Sequence, residues 1–247
     1  MKVSIITTVF NKKETIKYAI ESVLNQTYSP IEYIIIDGAS TDGTVEIVKT
    51  YGSAVTMFTS ESDEGIYDGL NKGINAATGD IVAFVHGDDL YESNEVVAKV
   101  VEAFKSGGVD GVYGDLTYTN KNDSDKILRY WKSKDFDCSL LKKGWMPAHP
   151  TLFLKREVYE KFGQFDLNFK IAADYDFMLR VLIGGIKVKY LPEVLYKMRA
   201  GGESNKSLRN ILLKYKEDIR ALRKNRVGGF YVLLIKNLSK ITQFLNR

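Results

Sequence analysis

Two short acidic stretches carry most of the chemistry open to this chain. Asp88-Asp89 follows, across Gly87, on the run Asp80-Ile81-Val82-Ala83-Phe84-Val85-His86, and Ala173-Asp174-Tyr175-Asp176 opens the segment Phe177-Met178-Leu179-Arg180-Val181-Leu182. Adjacent carboxylates repel each other, and a strand end tolerates them when they are exposed or neutralised by a cation. Their oxygens suit Mg²⁺ or Mn²⁺, ions that also bridge diphosphate oxygens. A carboxylate at a distant helix start can take a proton. Cation, diphosphate and base together point to group transfer from an activated donor. Each stretch also has a plainer use, Asp88-Asp89 as a solvated turn and Asp174 with Asp176 as dipole-favoured helix caps.

The elements that must position these groups alternate. Val3 to Val9 is a nearly continuous apolar and β-branched run, as expected of a strand buried on both faces. Asn11 with Glu14 three residues on has the form of a capping box, ahead of the helical stripe Ile16, Ile20, Val23 and Leu24. Pro30 closes that unit, and Tyr33 to Ile36 forms a second strand ending at Asp37. A loop from Gly38 to Gly43 leads into a helix through Val45, Ile47 and Val48. A strand over Val55 to Thr59, a helix over Ile66 to Ala77 and a strand over Asp80 to His86 follow. This rhythm predicts a mostly parallel sheet of βα units, with Thr8, Asp37 and Asp88-Asp89 at its C-terminal edge, where ligands bind. Beyond Asp89 the pattern gives a helix over Glu95 to Phe104 capped by Ser93, and a strand over Gly111 to Tyr118. It then gives a polar loop over Lys121 to Ser133, a strand over Thr151 to Leu154, a helix over Asp174 to Ile183, and a last strand over Lys187 to Tyr190 before Pro192.

The bulk properties narrow the partners. The chain has 247 residues, 45% of them hydrophobic, and a formal charge of +4. That charge fits anionic ligands such as nucleoside diphosphates and is too diffuse to imply nucleic acid. A single cysteine, Cys138, allows no internal disulfide, and no apolar stretch reaches the ~18 residues that a membrane span needs. A cytoplasmic protein is expected.

Five blocks in order, VSIITTVFN, IIIDGASTDGT, EGIYDGLNKGINAATGD, FVHGDDLY and IAADYDFMLR, resemble the family 2 inverting glycosyltransferases of GT-A fold, and among them the small bacterial enzymes that build surface polysaccharides. The resemblance implies an α/β fold with a mostly parallel nucleotide-binding sheet flanked by helices. It spans residues 1–205, a nucleotide-sugar half over 1–90 and an acceptor half over 91–205, with a helical extension over 206–247. It implies transfer from a nucleotide-sugar, UDP by family habit, to a hydroxyl of a glycan or lipid-linked acceptor. Position by position, Thr8 and Phe10 would meet the nucleotide base, Asp37 the base or ribose, and Asp88 the ribose or donor sugar. Asp89 would hold Mn²⁺ or Mg²⁺ on the diphosphate with Asp88 beside it, Asn71 and Lys72 would line the donor pocket, and Asp174 would be the base. Asn71-Lys72-Gly73 reads equally as a helix C-terminal turn.

The chain departs from that pattern in places. Gly38 follows Asp37 where many relatives carry a second acid, Ala173 precedes the base where many have Glu, and Arg199 stands where many have a metal-approaching histidine, in reach of phosphate. Trp145 and His149, in the segment Trp145-Met146-Pro147-Ala148-His149-Pro150 between the halves, are acceptor contacts or members of a packed loop. Gly201-Gly202-Glu203-Ser204 either folds over the diphosphate or links flexibly to the tail. Two rivals are a sugar-nucleotide pyrophosphorylase, which should carry a Gly-rich, basic loop after the first strand, and a non-catalytic carbohydrate-binding protein on the same fold.

From Ile219 to Arg247 there is no acid, while Arg220, Arg223, Lys224, Arg226, Lys236, Lys240 and Arg247 are basic. Tyr231, Leu234, Ile235, Leu238, Ile241 and Leu245 share one helical stripe, with Lys236, Lys240 and Gln243 largely elsewhere. The stripe suits a helix lying in a membrane interface, or one packed on the catalytic domain or a second subunit.

Overall fold

The computed structural model describes residues 1–201 and 207–239. Nine strands form one sheet among these residues. Its first part is parallel, built from β1 (Val3–Val9), β2 (Ile31–Asp37), β3 (Met57–Ser60) and β4 (Ile81–Phe84). β1 lies between β2 and β4, so the chain runs outward to β3 and then crosses back to the other side of β1. The crevice opened by that reversal lies between the C-terminal ends of β1 and β4. The second part is mixed. It contains β5 (Leu90–Tyr91), β6 (Gly111–Thr119), β7 (Ile127–Trp131), β8 (Phe153–Lys155) and β9 (Val188–Arg199), in the spatial order β4-β8-β6-β9-β5 with β7 paired to β6. β8 runs antiparallel to both β4 and β6, while β9 is parallel to β6. The parallel expectation therefore holds for the first ninety residues and gives way to a mixed sheet beyond them.

Side-chain alternation splits the core between the two faces of the sheet. Ile6, Ile34, Ile36, Val82 and Phe84 join the cluster under α3 (Ile66–Ala76) and α7 (Ala173–Ile183). Ile5, Tyr33, Ile35, Ile81 and Ala83 face α1 (Ile16–Leu24) and α4 (Val96–Lys105). Gly73 lets α3 lie directly on β1, since a Cβ there would come within 2.3 Å of Ile6 Cγ2. The shorter helices are α2 (Thr44–Lys49), α5 (Ser139–Lys142) and α6 (Arg156–Phe162).

Several local expectations are corrected. Asn11 is not a helix cap. It adopts a left-handed φ of 49°, its Oδ1 accepts from Thr41 N at 2.9 Å, and α1 begins only after Thr15. The polar stretch 121–133, expected as loop, contains β7. The Thr151 to Leu154 strand starts later, after a 3₁₀ turn over His149–Thr151. β9 does not stop before Pro192. The β6–β9 register jumps between Tyr113 and Asp115, and residues 191–193 bulge out, which accommodates a residue with no N–H to donate.

The extension consists of α8 (Leu208–Lys224) and α9 (Phe230–Ser239). Ala221, Leu222, Val227, Val232 and Leu233 enter the same core cluster as Phe177. At Gly144 a Cβ would lie 2.8 Å from Lys236 Cα, so α9 lies on the turn just before Trp145. Lys236 is not on a solvated face. It is buried, donates to Asp218 at 3.0 Å and sits 3.3 Å from the Tyr175 ring centre. Of the expected stripe, Tyr231, Leu234 and Leu238 are exposed and Ile235 is half-buried. Gly202, Glu203, Ser204, Lys240, Ile241, Gln243, Leu245 and Arg247 lie outside the described residues.

Candidate active site

The loop that follows β4 is fixed from three sides. Val85 N donates to Ile6 O at 3.0 Å and Gly87 N to Thr8 O at 3.1 Å, which extends the parallel pairing past the end of β4. Thr15 Oγ1 donates to Gly87 O at 3.0 Å, linking the start of α1 to the same loop. The two carboxylates that follow point into unlike surroundings. Asp88 is partly open and forms an ion pair with Lys12 Nζ. Asp89 is buried; its Oδ1 accepts from Arg199 N at 2.9 Å and its Oδ2 from Tyr196 Oη at 3.2 Å. Burial, and then the neighbouring charge of Asp88, hold the Asp89 carboxyl well above the ordinary range.

A divalent cation fits this pair. No ion pair with a basic side chain reaches Asp89 among the described residues, so a buried carboxylate stands beside a second one with only Lys12 to offset the repulsion. Among the described residues no group of three His, Cys, Asp or Glu side chains is gathered. Asp88 and Asp89 would therefore supply protein oxygens, and phosphate and water the rest, as is common for Mg²⁺.

Asp174 lies in the first turn of α7. Its Oδ1 accepts from Tyr67 Oη at 3.0 Å, and the same hydroxyl lies 2.7 Å from Ile171 O. Burial and the Asp174 charge push the Tyr67 phenol well above its usual value. His86 lies two residues before Asp88 on the loop after β4. Its Nδ1 meets Thr8 Oγ1 at 3.2 Å, and both Asp88 and Asp174 act on its charge, although burial outweighs them and lowers its pKa. His149 stacks on Phe84 at 5.6 Å and meets Phe165 edge-on at 5.6 Å. Burial pushes it down to about 4, against the pull of Asp174. Tyr118 on β6 feels both Asp89 and Asp174, and the Arg129 guanidinium lies 4.7 Å over its ring. Thr8, His86, Asp88, Asp89, Asp174 and His149 thus gather at one sheet edge.

The remaining expected residues lie in other settings. Phe10 is exposed at the end of β1. Asp37 is buried, accepting from Ser40 N at 2.9 Å and Ser60 Oγ at 2.6 Å, so its carboxylate organises the loop after β2. Asn71 clamps the backbone of Phe165 through both ends of its amide, at 2.9 and 3.0 Å. Lys72 is held by Glu61 at 2.8 Å and Asp68 at 3.3 Å. Arg199 sends its guanidinium to Lys121 O at 2.9 Å and over the Tyr18 ring at 5.2 Å, in a cleft of about 320 Å³ that Glu14 and Asp123 also line. Trp145 is partly buried with Lys134 Nζ 5.2 Å over its ring.

Sequence reasoning passed over Lys12, Asp63, Tyr67, His86 and Tyr118. Asp63 stands where a second acid beside Asp37 would reach, since a Cβ on Gly38 would come within 2.8 Å of its Oδ2. Asp63 precedes the block EGIYDGLNKG and Tyr67 falls inside it, so the signal was local to a motif already noted.

Residues 4–163 match the family model described as Glycosyl transferase family 2. A PGL/p-HBAD biosynthesis glycosyltransferase of Mycobacterium bovis is 28% identical over 181 residues, covering 72% of this chain and 68% of the relative. An uncharacterized glycosyltransferase of Mycobacterium tuberculosis is 34% identical over 197 residues, covering 73% and 69%. Staphylococcus aureus TarS 1–349, solved in complex with UDP-GlcNAc, superposes with a TM-score of 0.71 at 16% identity, covering 92% of this chain and 66% of that one. A mannosyltransferase from Pyrobaculum calidifontis, solved with GDP-Man and Mn²⁺, gives a TM-score of 0.67 at 19% identity, covering 92% and 65%. The chain spans about two thirds of the length of these relatives. The two structural likenesses establish the GT-A fold. The family match covers more than half of the sequence, and the chain belongs to glycosyl transferase family 2.

Proposed function

We propose that this chain is an inverting glycosyltransferase that moves a sugar from a nucleoside diphosphate sugar, with UDP the preferred carrier, to a hydroxyl of a glycan or lipid-linked acceptor. The observation that carries the reading is the convergence of Asp174 and the Asp88-Asp89 pair on one cluster. His86, two residues before Asp88, meets Thr8 Oγ1 at 3.2 Å; a Cβ on Gly69 of α3 would lie 3.2 Å from Thr8 Cγ2, and Tyr67 of the same helix meets Asp174 Oδ1 at 3.0 Å. Family membership favours transfer over the pyrophosphorylase alternative, and retention of all three carboxylates favours it over mere sugar binding.

In this mechanism the acceptor oxygen attacks the anomeric carbon in line with the departing phosphate oxygen. The new glycosidic bond forms as the carbon–phosphate-oxygen bond breaks, and Asp174 takes the hydroxyl proton. Tyr67 fixes one oxygen of Asp174 and leaves the other for the acceptor. His149, held neutral by burial, can hydrogen-bond an acceptor hydroxyl, and Trp145 of the same segment is a second candidate acceptor contact. Lys12, paired with Asp88, places a fixed positive charge where the diphosphate would lie. A divalent cation at Asp88 and Asp89, when bound, supplies charge neutralisation for the leaving group.

The direct test is thermal unfolding with UDP, GDP, UDP-GlcNAc and GDP-mannose, each with and without Mn²⁺. A ligand well above its Kd stabilises by a few kcal/mol, and a shift with a nucleotide that depends on Mn²⁺ is expected. No shift with any of them at millimolar concentration would reject the donor reading.

The extension supports docking on an anionic membrane surface. Leu208, Leu212, Tyr215, Phe230, Tyr231, Leu234 and Leu238 are exposed apolar residues. Arg209, Lys216, Arg220, Arg223 and Arg226 are exposed cations, while Glu217 and Asp218 are buried and Lys224 is paired with Asp166 and Asp176. Exposed charge in this stretch is therefore all positive, which suits anionic headgroups at about 1 kcal/mol per basic residue. No described helix is long and apolar enough to cross a membrane. Full-length protein is expected to co-sediment with phosphatidylglycerol vesicles and not with phosphatidylcholine ones. The triple substitution Tyr231→Ser, Leu234→Ser, Leu238→Ser should lower the pelleted fraction several-fold, and equal pelleting by both proteins would refute docking.

A further inference from the structure

Glu217, on α8, is a charged side chain buried to 6% exposure. Its carboxylate receives three successive backbone N–H groups: Lys170 N at 2.9 Å on Oε1, then Ile171 N at 2.8 Å and Ala172 N at 2.9 Å on Oε2. Consecutive N–H groups converging on one anion form a strong, directional grip. They belong to the residues immediately before α7, whose second residue is Asp174. The N-cap of α7 is Ala172, which has no side-chain acceptor of its own. A residue of the extension supplies one.

The grip reaches the site through one peptide unit. Ile171 gives its N–H to Glu217 and its carbonyl to Tyr67 Oη, the hydroxyl that also meets Asp174. Other contacts hold the same segment to α8. Asp176, fully buried, accepts from Lys224 Nζ at 2.9 Å and from Asn225 Nδ2 at 2.9 Å. Lys224 also reaches Asp166 at 2.8 Å, and the Arg220 guanidinium lies 4.6 Å over the Phe169 ring.

We propose that Glu217 is a positioning residue for Asp174, which makes the helical extension part of the catalytic apparatus. The proposal rests on the reading of Asp174 as the base. Glutamine at 217 keeps the shape, but its amide nitrogen would face a backbone donor in place of an acceptor, and the turn would shift. A displacement of about 1 Å at a reacting group costs on the order of a hundredfold in rate.

The test compares full-length Glu217→Gln with Asp218→Asn, a neighbouring buried residue on α8 that pairs with Lys214 and Lys236 and not with the base segment. The measurements are kcat and KM for nucleoside diphosphate release from UDP-GlcNAc or GDP-mannose, UDP or GDP affinity by calorimetry, and the unfolding midpoint. Glu217→Gln is expected to lower kcat roughly 10- to 100-fold with donor KM and nucleotide affinity within twofold. Asp218→Asn should lower the midpoint and keep kcat near normal. Losses of kcat in both that follow the midpoint would make Glu217 merely structural and overturn the proposal. Should Glu217→Gln not fold, Lys224→Met loosens the same segment at Asp176 and is expected to show a smaller kcat loss, again at constant affinity; an unchanged kcat there would overturn it. If Asp174→Asn turns over normally, the base reading fails and this proposal with it. If Asp174→Asn is inactive and Glu217→Gln is not slowed, only the positioning role is wrong.

Discussion

Asp89→Asn is expected to abolish cation-dependent transfer, by about a thousandfold or more, in a protein that still folds. A bound divalent cation offsets several kcal/mol of charge developing on the departing diphosphate, and each 1.36 kcal/mol is about tenfold in rate. Asparagine retains a carbonyl oxygen for Arg199 N, while its amide would donate to Tyr196 Oη, which in the parent donates to Asp89 and accepts from His86 N, so one buried hydrogen bond is reversed. Stability should move the other way. Burial and Asp88 raise the Asp89 carboxyl above its ordinary range in the folded chain, so over the window between the two values the folded state holds a proton that the unfolded chain has released. Stability is then greatest below that window and falls as pH rises through it. At neutral pH without metal the carboxylate is a net burden, and the Asn variant should unfold at an equal or higher temperature than the parent. The check is transfer rate and midpoint for both proteins, with Mn²⁺ and with EDTA. Near-normal turnover by the variant, or parental activity undiminished in EDTA, would remove the metal assignment.

That a buried carboxylate is kept where it weakens the fold is the sort of local conflict that marks a functional site, and it explains what was legible in the sequence. The β-branched run of β1 and the βα alternation reveal the parallel half, because strands buried on both faces need continuous apolar residues. Asp88 and Asp89 stand out because nothing in a strand end requires two acids. What stayed hidden depends on distant partners. β7 is a short Ile-Leu-Arg-Tyr-Trp run inside an otherwise polar stretch and only half-buried; it is held by pairing with β6 and, through Tyr130 Oη, by the buried Asp115, which also accepts from Ser133 N at 2.6 Å and Tyr190 Oη at 2.8 Å. A lysine such as Lys236 reads as solvated until Asp218 appears opposite it. Asn11 has the spacing of a cap, yet its amide is drawn to the loop at Thr41. Glu217 shows no motif of its own, because its partners are backbone groups of a remote segment.

The same remoteness separates the two acids of the second motif, and mutation should separate them sharply. Asp174→Asn is expected to leave donor affinity within about twofold and to reduce transfer by roughly 10²–10⁴-fold, the usual worth of a positioned general base. The amide keeps the shape and can still accept from Tyr67 Oη, so neither the first turn of α7 nor the donor edge need move. Asp176→Asn should behave differently. Asp176 is fully buried, pointing to Lys224, Asn225 and, at 3.6 Å, Arg180, so it has no route to an acceptor hydroxyl. Removing its charge leaves Lys224 less well partnered, and breaking a buried pair costs folding free energy. Its signature should be a lowered unfolding midpoint with kcat reduced far less than in Asp174→Asn. Product analysis of the parent enzyme completes the test, since a single in-line displacement must invert the anomeric centre. An active Asp174→Asn, an inactive but stable Asp176→Asn, or retention in the product would each show that the base lies elsewhere.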